Sequence, residues 1–206
     1  MKRIITISRE LGSGGRTIGK LVANRMGIPY YDRELIDEAA KVSGLSPRYV
    51  ETNEQKATGS FLYNLVMGTS YGYGILQGAN RQTLPLTEQI YAAQQEVITK
   101  YANSGSCVIV GRCADHILKG RNDVLRVFIY ADIEKRLEHS VKTYGMSKDT
   151  AREEIERSDR ERARHYSAFT DRKWGDRHNY DIMLNSGELG YDQCAKIICS
   201  IAETDV

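Results

Sequence analysis

No apolar run in the 206-residue chain approaches the roughly 20 residues of a membrane-spanning helix, so a helical membrane protein is excluded and no membrane partner is expected. No charge sign dominates either. Lys+Arg number 29 against 27 Asp+Glu, and a net +2 provides no global field for a DNA or RNA polymer, so any anion site must be local. Cys107, Cys113, Cys194 and Cys199 match no zinc spacing, and a chain of this length needs no covalent staples, which predicts reduced thiols. Repeats and low-complexity linkers are absent. The basic start Met1-Lys2-Arg3 leads into an apolar run that stops at Ser8, too short for the core of a secretory signal, so a cytoplasmic location is expected. What remains, 41% hydrophobic and 27% charged, is the composition of a globular domain able to bury a core.

Strand and helix patterns alternate along that domain. Lys2 to Ser8 is a β-branched, largely apolar run that ends near the cluster Gly12-Ser13-Gly14-Gly15; Ile18, Leu21, Val22 and Met26 then recur at helical spacing. Ile28 to Tyr31 is a second extended piece, followed by Asp32 and a helix through Leu35, Ile36, Ala39 and Ala40. Between Ser46 and Pro85 the periodicity weakens and glycines alternate with tyrosines, which reads as an excursion from the core. A helix from Leu86 to Tyr101 and the continuous apolar strand Cys107 to Val110 come next. Val124 to Tyr130 is another strand, with Ile133, Leu137 and Val141 on the following helix; Tyr180 to Asn185 is the last strand, with a closing helix through Ala195, Ile198 and Ile201. Such alternation predicts an α/β fold of three layers, α/β/α, around a mostly parallel five-stranded sheet. We expect one domain, with its core in 1–45, 86–146 and 178–206, the excursion in 46–85 and a separate segment at 147–177.

In an open parallel sheet, ligands bind beyond the carboxyl ends of the strands, and the first βα turn can hold phosphate on backbone N–H groups and a helix N-terminus. Gly12, Ser13, Gly14, Gly15, Arg16 and Thr17 occupy that turn. Against the phosphate-loop pattern G-x-x-x-x-G-K-[ST], Gly15 and Thr17 match, Glu10 stands at the first glycine and Arg16 at the lysine. The Thr17 hydroxyl falls where a Mg²⁺ ligand belongs. Two other readings of the turn stay open: a glycine turn needed only for packing, and a dinucleotide fingerprint on Gly12 and Gly14 with Asp32 near the ribose-binding distance.

The stretch from Ser147 to about Tyr166 is helical in propensity, yet it carries little apolar stripe beyond Ala151 and Ile155. Arg157, Arg160 and Arg164 lie at i, i+3 and i+7, which stacks like charges along one side at a cost of roughly 0.2–0.5 kcal/mol per pair. A solvated helix laced with ion pairs is one explanation. Phosphoryl transfer is another, because arginines on a closing segment neutralise the charge that develops on the transferred phosphate.

Together these blocks resemble the nucleoside monophosphate kinases, and among them the cytidylate kinase-like group, over the whole chain. The resemblance rests on Ile5 to Gly19, on Tyr30-Tyr31-Asp32, on Val108-Ile109-Val110-Gly111-Arg112, on Glu156 to Arg164 and on Tyr180 to Asn185. It implies a P-loop nucleoside-kinase-like fold, ATP and Mg²⁺ as cofactors, and transfer of the γ-phosphate to a nucleoside monophosphate, CMP or dCMP first. By position it implies that Arg112, Arg157 and Arg164 bind the acceptor's phosphate, that Asp32 opens the acceptor-binding helix and that Glu161 faces the cytosine amine. Arg160 would meet the donor phosphates beside the loop, with Arg16, Arg160 and Arg164 as the catalytic arginines, Thr17 as the magnesium ligand and 147–177 as a lid. The chain departs from the family pattern at the loop lysine, at Glu38 where an arginine is usual, and at Cys113 where an acidic residue is usual. A nucleotide-binding module with weak turnover, a kinase with another small acceptor, and a Rossmann-type oxidoreductase are the competing functions.

Overall fold

The computed structural model describes residues 3–53 and 85–204. Strand β1 (Ile4–Arg9) lies at the centre, which is why Ile4 on one face and Ile5 and Ile7 on the other are fully buried. It pairs in parallel with β3 (Cys107–Val110), Ile4 opposite Cys107, and with β4 (Val124–Tyr130), Ile4 opposite Val124. Strand β2 (Tyr30–Tyr31) flanks β3 and β5 (Ile182–Asn185) flanks β4, so the sheet is wholly parallel in the order β2-β3-β1-β4-β5.

Helices cover both faces. Ile18 and Val22 of α1 (Gly15–Met26) and Ala195 and Ile198 of the last helix (Tyr191–Glu203) pack on Ile5, Ile7, Val127 and Ile129. On the other face, Leu35 of α2 (Glu34–Ser43) and Val97 and Ile98 of the helix Leu86–Ser104 pack on Ile4, Ile109 and Val124. The alternation of Ile4 against Ile5 and Ile7 follows the two-residue period of a strand. Chain order numbers the remaining helices: α3 (Pro47–Asn53), α4 (Leu86–Ser104), α5 (Ala114–Ile117), α6 (Ile133–Tyr144), α7 (Ala151–Thr170), α8 (Ser186–Leu189) and α9 (Tyr191–Glu203). After β1 the chain turns to the face carrying α1 and after β3 to the face carrying α5, which opens a crevice between the carboxyl ends of these two neighbouring strands.

Two expectations are refined. The charged helix runs to Thr170, and its inward face continues past Ile155 through His165, Tyr166 and Phe169; Tyr166 and Phe169 form an aromatic cluster with Tyr91 and Cys113. Of the excursion 46–85, α3 packs Val50 against Ile36, Ala39 and Ile90, and 54–84 lie outside the described residues. All four cysteines are buried and unpaired. Among the described residues no helix is long and apolar enough to cross a membrane.

Candidate active site

The glycine loop is built by close approach. Gly12 and Gly14 have φ of +83° and +75°, a region L side chains rarely adopt. A Cβ on Gly12 would sit 2.6 Å from the Arg136 carbonyl oxygen, and one on Gly15 2.6 Å from Cβ of Arg9. The Ser13 hydroxyl donates to the Glu10 carbonyl at 2.9 Å, and the Ser186 hydroxyl donates to the Ser13 carbonyl at 2.6 Å. Glu10, standing where the pattern asks for glycine, anchors the turn: its carboxylate accepts the Ala131 N–H at 3.2 Å and pairs with Arg136 at 3.3 Å. Burial pushes its pKa up and Arg136 opposes the rise. No side chain caps α1, and the Ile18 N–H makes a helical bond to Gly14 at 2.9 Å. The N–H groups of Gly15, Arg16 and Thr17 in the first turn therefore sit at the positive end of the helix, suited to an anion.

Beside the loop, Arg9 at the end of β1, Arg16 in the first turn of α1 and Arg112 just after β3 meet one carboxylate. Asp32, at the end of β2, takes Nε of Arg16 at 2.8 Å, Arg112 at 3.4 Å and Arg9 at 3.9 Å. Burial alone would raise the Asp32 pKa, but Arg9, Arg16 and Arg112 hold it below the usual carboxylate range. The Arg9 guanidinium is pushed down to about 9, first by burial and then by Arg162, with Asp32 opposing. Gly111, Arg112 and Cys113 have three consecutive positive φ angles, +78°, +53° and +54°. For the two non-glycine residues that backbone costs roughly 1–2 kcal/mol each, and it lets Arg112 reach back to Asp32 at the end of β2.

Helix α7 closes the other side. Asp159 accepts the Leu11 N–H at 2.9 Å and pairs with Arg136 and, at 3.3 Å, with Arg162. Arg162 also donates to the Arg9 carbonyl at 3.3 Å. In this ion-pair network five arginines (Arg9, Arg16, Arg112, Arg136, Arg162) face three carboxylates (Glu10, Asp32, Asp159), which leaves two positive charges. A phosphate monoester carries about −1.5 to −2 at pH 7 and matches that excess.

Two adjoining cavities share this wall. One lies along the loop between Glu10, Gly14 and Tyr144; the other lies over Ser8, Arg112, His165 and Trp174; Arg9, Arg16 and Arg162 line both. Behind the second cavity, buried Asp115 accepts from the Tyr166 hydroxyl at 2.6 Å and from Ser8 at 3.4 Å, tying α7 to β1. Thr17 is exposed beside a cleft of about 460 Å³ that Asp32, Glu51 and Tyr144 also line.

Of the residues singled out in the sequence, the structure brings together Gly12, Ser13, Gly14, Gly15, Arg16, Thr17, Asp32 and Arg112. Arg157, Arg160, Glu161 and Arg164 are exposed on the outer side of α7, where Arg160 pairs with Glu156 at 3.5 Å. The inward arginine of the run is Arg162. Its signal was the helical period, since 151, 155, 162, 165 and 169 fall on one face, with an arginine in the apolar series.

A family model described as the cytidylate kinase-like family matches residues 4–188. The chain belongs to the cytidylate kinase-like family. Among solved structures, an uncharacterised protein from Eubacterium ventriosum is 26% identical with a TM-score of 0.72, covering 98% of this chain and 99% of that one. Shikimate kinase from Bacteroides thetaiotaomicron is 13% identical with a TM-score of 0.56, covering 98% of both chains. Shikimate kinase from Acinetobacter baumannii, solved with shikimate, is 12% identical with a TM-score of 0.52, covering 97% of this chain and 92% of that one. These two kinases share the fold. No curated protein matches the chain. In this fold the glycine loop lies in the first βα turn, at the carboxyl end of β1, with the arginine cavity beside it.

Proposed function

We propose that the protein is an ATP- and Mg²⁺-dependent phosphotransferase of the nucleoside monophosphate kinase type. The donor's phosphates lie on the N–H groups of the Gly12–Thr17 turn, and the acceptor's phosphate lies among Arg9, Arg112 and Arg162. The observation that carries this reading is the shared wall: Arg16 and Arg162 line both the loop cavity and the arginine cavity, on the path a phosphoryl group would travel. Arg162, largely buried, would bind the equatorial oxygens as charge develops from a water-poor setting where such contacts are strong, whereas Arg16 is half exposed.

The residues present fit magnesium as a companion of the nucleotide. Among the described residues no group of three His, Cys, Asp or Glu could hold a metal alone. The exposed Thr17 hydroxyl would be its protein ligand, with the remaining ligands from phosphate and water. Bound there, the ion would neutralise phosphate charge.

CMP or dCMP is the first acceptor candidate, through the family's name. A role for Glu161 on the cytosine amine, or for Arg157, Arg160 and Arg164 on phosphates, requires α7 to roll by about half a turn, because residues two apart on a helix point roughly 160° apart. One observation favours the second reading, a binding module with weak turnover: Arg16 is engaged by Asp32 at 2.8 Å and must leave it to clamp the donor. A bisubstrate ligand, adenosine and cytidine joined through five phosphates, tests the shared wall. It should bind more tightly than ATP, and both Arg112→Ala and Arg162→Ala should weaken it by at least about tenfold. Equal affinity of ATP and the bisubstrate ligand would sink the arrangement.

A further inference from the structure

His165 is buried on the inward face of α7, three residues from Arg162, and lines the arginine cavity. Its Nδ1 is shielded from solvent and has no hydrogen-bond partner. Buried polar atoms in folded proteins are paired, and here an imidazole in the wall of a cavity keeps hydrogen-bonding capacity that no protein group takes up. The ring sits tilted against Phe169 at 4.8 Å and edge-on to Tyr91 at 6.2 Å, contacts that fix its plane without using Nδ1.

The other neutral groups around this cavity are committed or limited. Tyr166 and Ser8 both give their hydroxyls to Asp115. Trp174 can only donate, and the Cys113 thiol is a weak partner. Burial first, and then Arg112, lowers the His165 pKa to about 4, so at neutral pH the imidazole adds no charge to the phosphate-binding arginines and can present either a lone pair or an N–H.

We propose that His165 is the specificity-determining residue of the acceptor site, its imidazole hydrogen-bonding the uncharged part of the acceptor while the arginines hold the phosphate. This rests on the reading of the arginine cavity as the acceptor site. It gives to an inward histidine the recognition that the resemblance assigns to Glu161.

Trp174 is the only tryptophan and lines the cavity, so its fluorescence reports occupancy. The experiment titrates inorganic phosphate and each of the four common ribonucleoside monophosphates into wild type, His165→Asn and His165→Phe. Asparagine keeps a hydrogen-bonding atom near the Nδ1 position; phenylalanine keeps the ring alone. His165→Phe should bind the preferred nucleotide about ten- to a hundredfold more weakly than wild type, His165→Asn should recover most of that loss, and both should bind phosphate as wild type does. Unchanged nucleotide affinity in His165→Phe overturns the proposal, as does an equal loss of phosphate and nucleotide in a variant whose circular dichroism is native. The underlying cavity reading fails separately: wild type would then bind neither phosphate nor nucleotide with a Trp174 response, or Arg112→Ala would leave both affinities unchanged.

Discussion

Three guanidinium groups around one buried carboxylate set the charge of the site, and the pH at which that arrangement fails follows from the sign of the shift. The folded pKa of Asp32 lies below its unfolded value of about 3.9, so its contribution is complete above that pH and is lost only as the pH falls through the folded pKa. Two histidines, buried His165 and half-buried His116, act in a higher window. His165 and His116 are both lowered to about 4, first by burial, while the unfolded chain protonates them near 6.5. The unfolded state then binds more protons between these values, so stability is present above about pH 6.5 and falls as the pH drops towards 4. At pH 5 buried His165 should cost about 2 kcal/mol relative to pH 7, and the more exposed His116 less. Urea unfolding at the two pH values checks this, and His165→Phe should remove its own share of the difference. Arg16→Ala should abolish ATP binding in a calorimetric titration, and an unchanged dissociation constant would remove Arg16 from the donor site. Arg16→Lys separates the kinase from the module: higher turnover in that variant would mark the native arginine as a weakening. Arg16 was legible in the sequence from the glycine-loop pattern, and Asp32 and Arg112 from the resemblance over Tyr30-Tyr31-Asp32 and Val108 to Arg112. Arg9 and Glu10 were not, since a charged residue at the end of a buried strand gives no sign of whether it turns to solvent or is held, as here, among partners.

At the scale of elements, the decisive question concerns α7. The sequence reading stacked Arg157, Arg160 and Arg164 as the functional side, whereas in the structure Asp159, Arg162, His165 and Tyr166 face the loop and the cavity. Charge count alone could not choose a side; the aromatic anchor at 165–169 chooses it, and that lies beyond the charged run that drew attention. If the observed side acts, Arg162→Ala should lower kcat/KM by about 10²–10³, the usual effect of removing one donor to transition-state charge, and Arg160→Ala by less than about threefold. The reverse order would mean that α7 rolls during turnover. Hydrogen exchange supplies the matching test of a lid. Amides at 165–170, anchored on Tyr91 and Phe169, should be protected with and without the bisubstrate ligand, while those from Ala151 to Arg162, held chiefly by Asp159 and the two apolar contacts Ala151 and Ile155, should slow when it binds. Equal protection of both halves in both states would make α7 a fixed wall.

Across the whole molecule, strand period, glycine placement and β-branched runs were enough to read the parallel sheet, because a central strand such as β1 buries β-branched side chains on both faces. The strand order and the crossing from β1 to α1 on one face and from β3 to α5 on the other placed Gly12–Thr17, Asp32 and Arg112 around one crevice. The charged run by itself did not say which side of α7 turns inward; that direction was carried by the apolar and aromatic series 151, 155, 166 and 169 around it. Phosphoryl transfer across the wall formed by Arg16 and Arg162 is the reaction proposed for this site. Its most direct test is ADP release from ATP and Mg²⁺ in the presence of each nucleoside and deoxynucleoside monophosphate, measured for wild type, Arg112→Ala and Arg162→Ala. The account predicts release that depends on one acceptor, CMP or dCMP first, and falls sharply in both variants. Release no greater than with ATP alone for every acceptor, from folded protein that binds ATP, would contradict it.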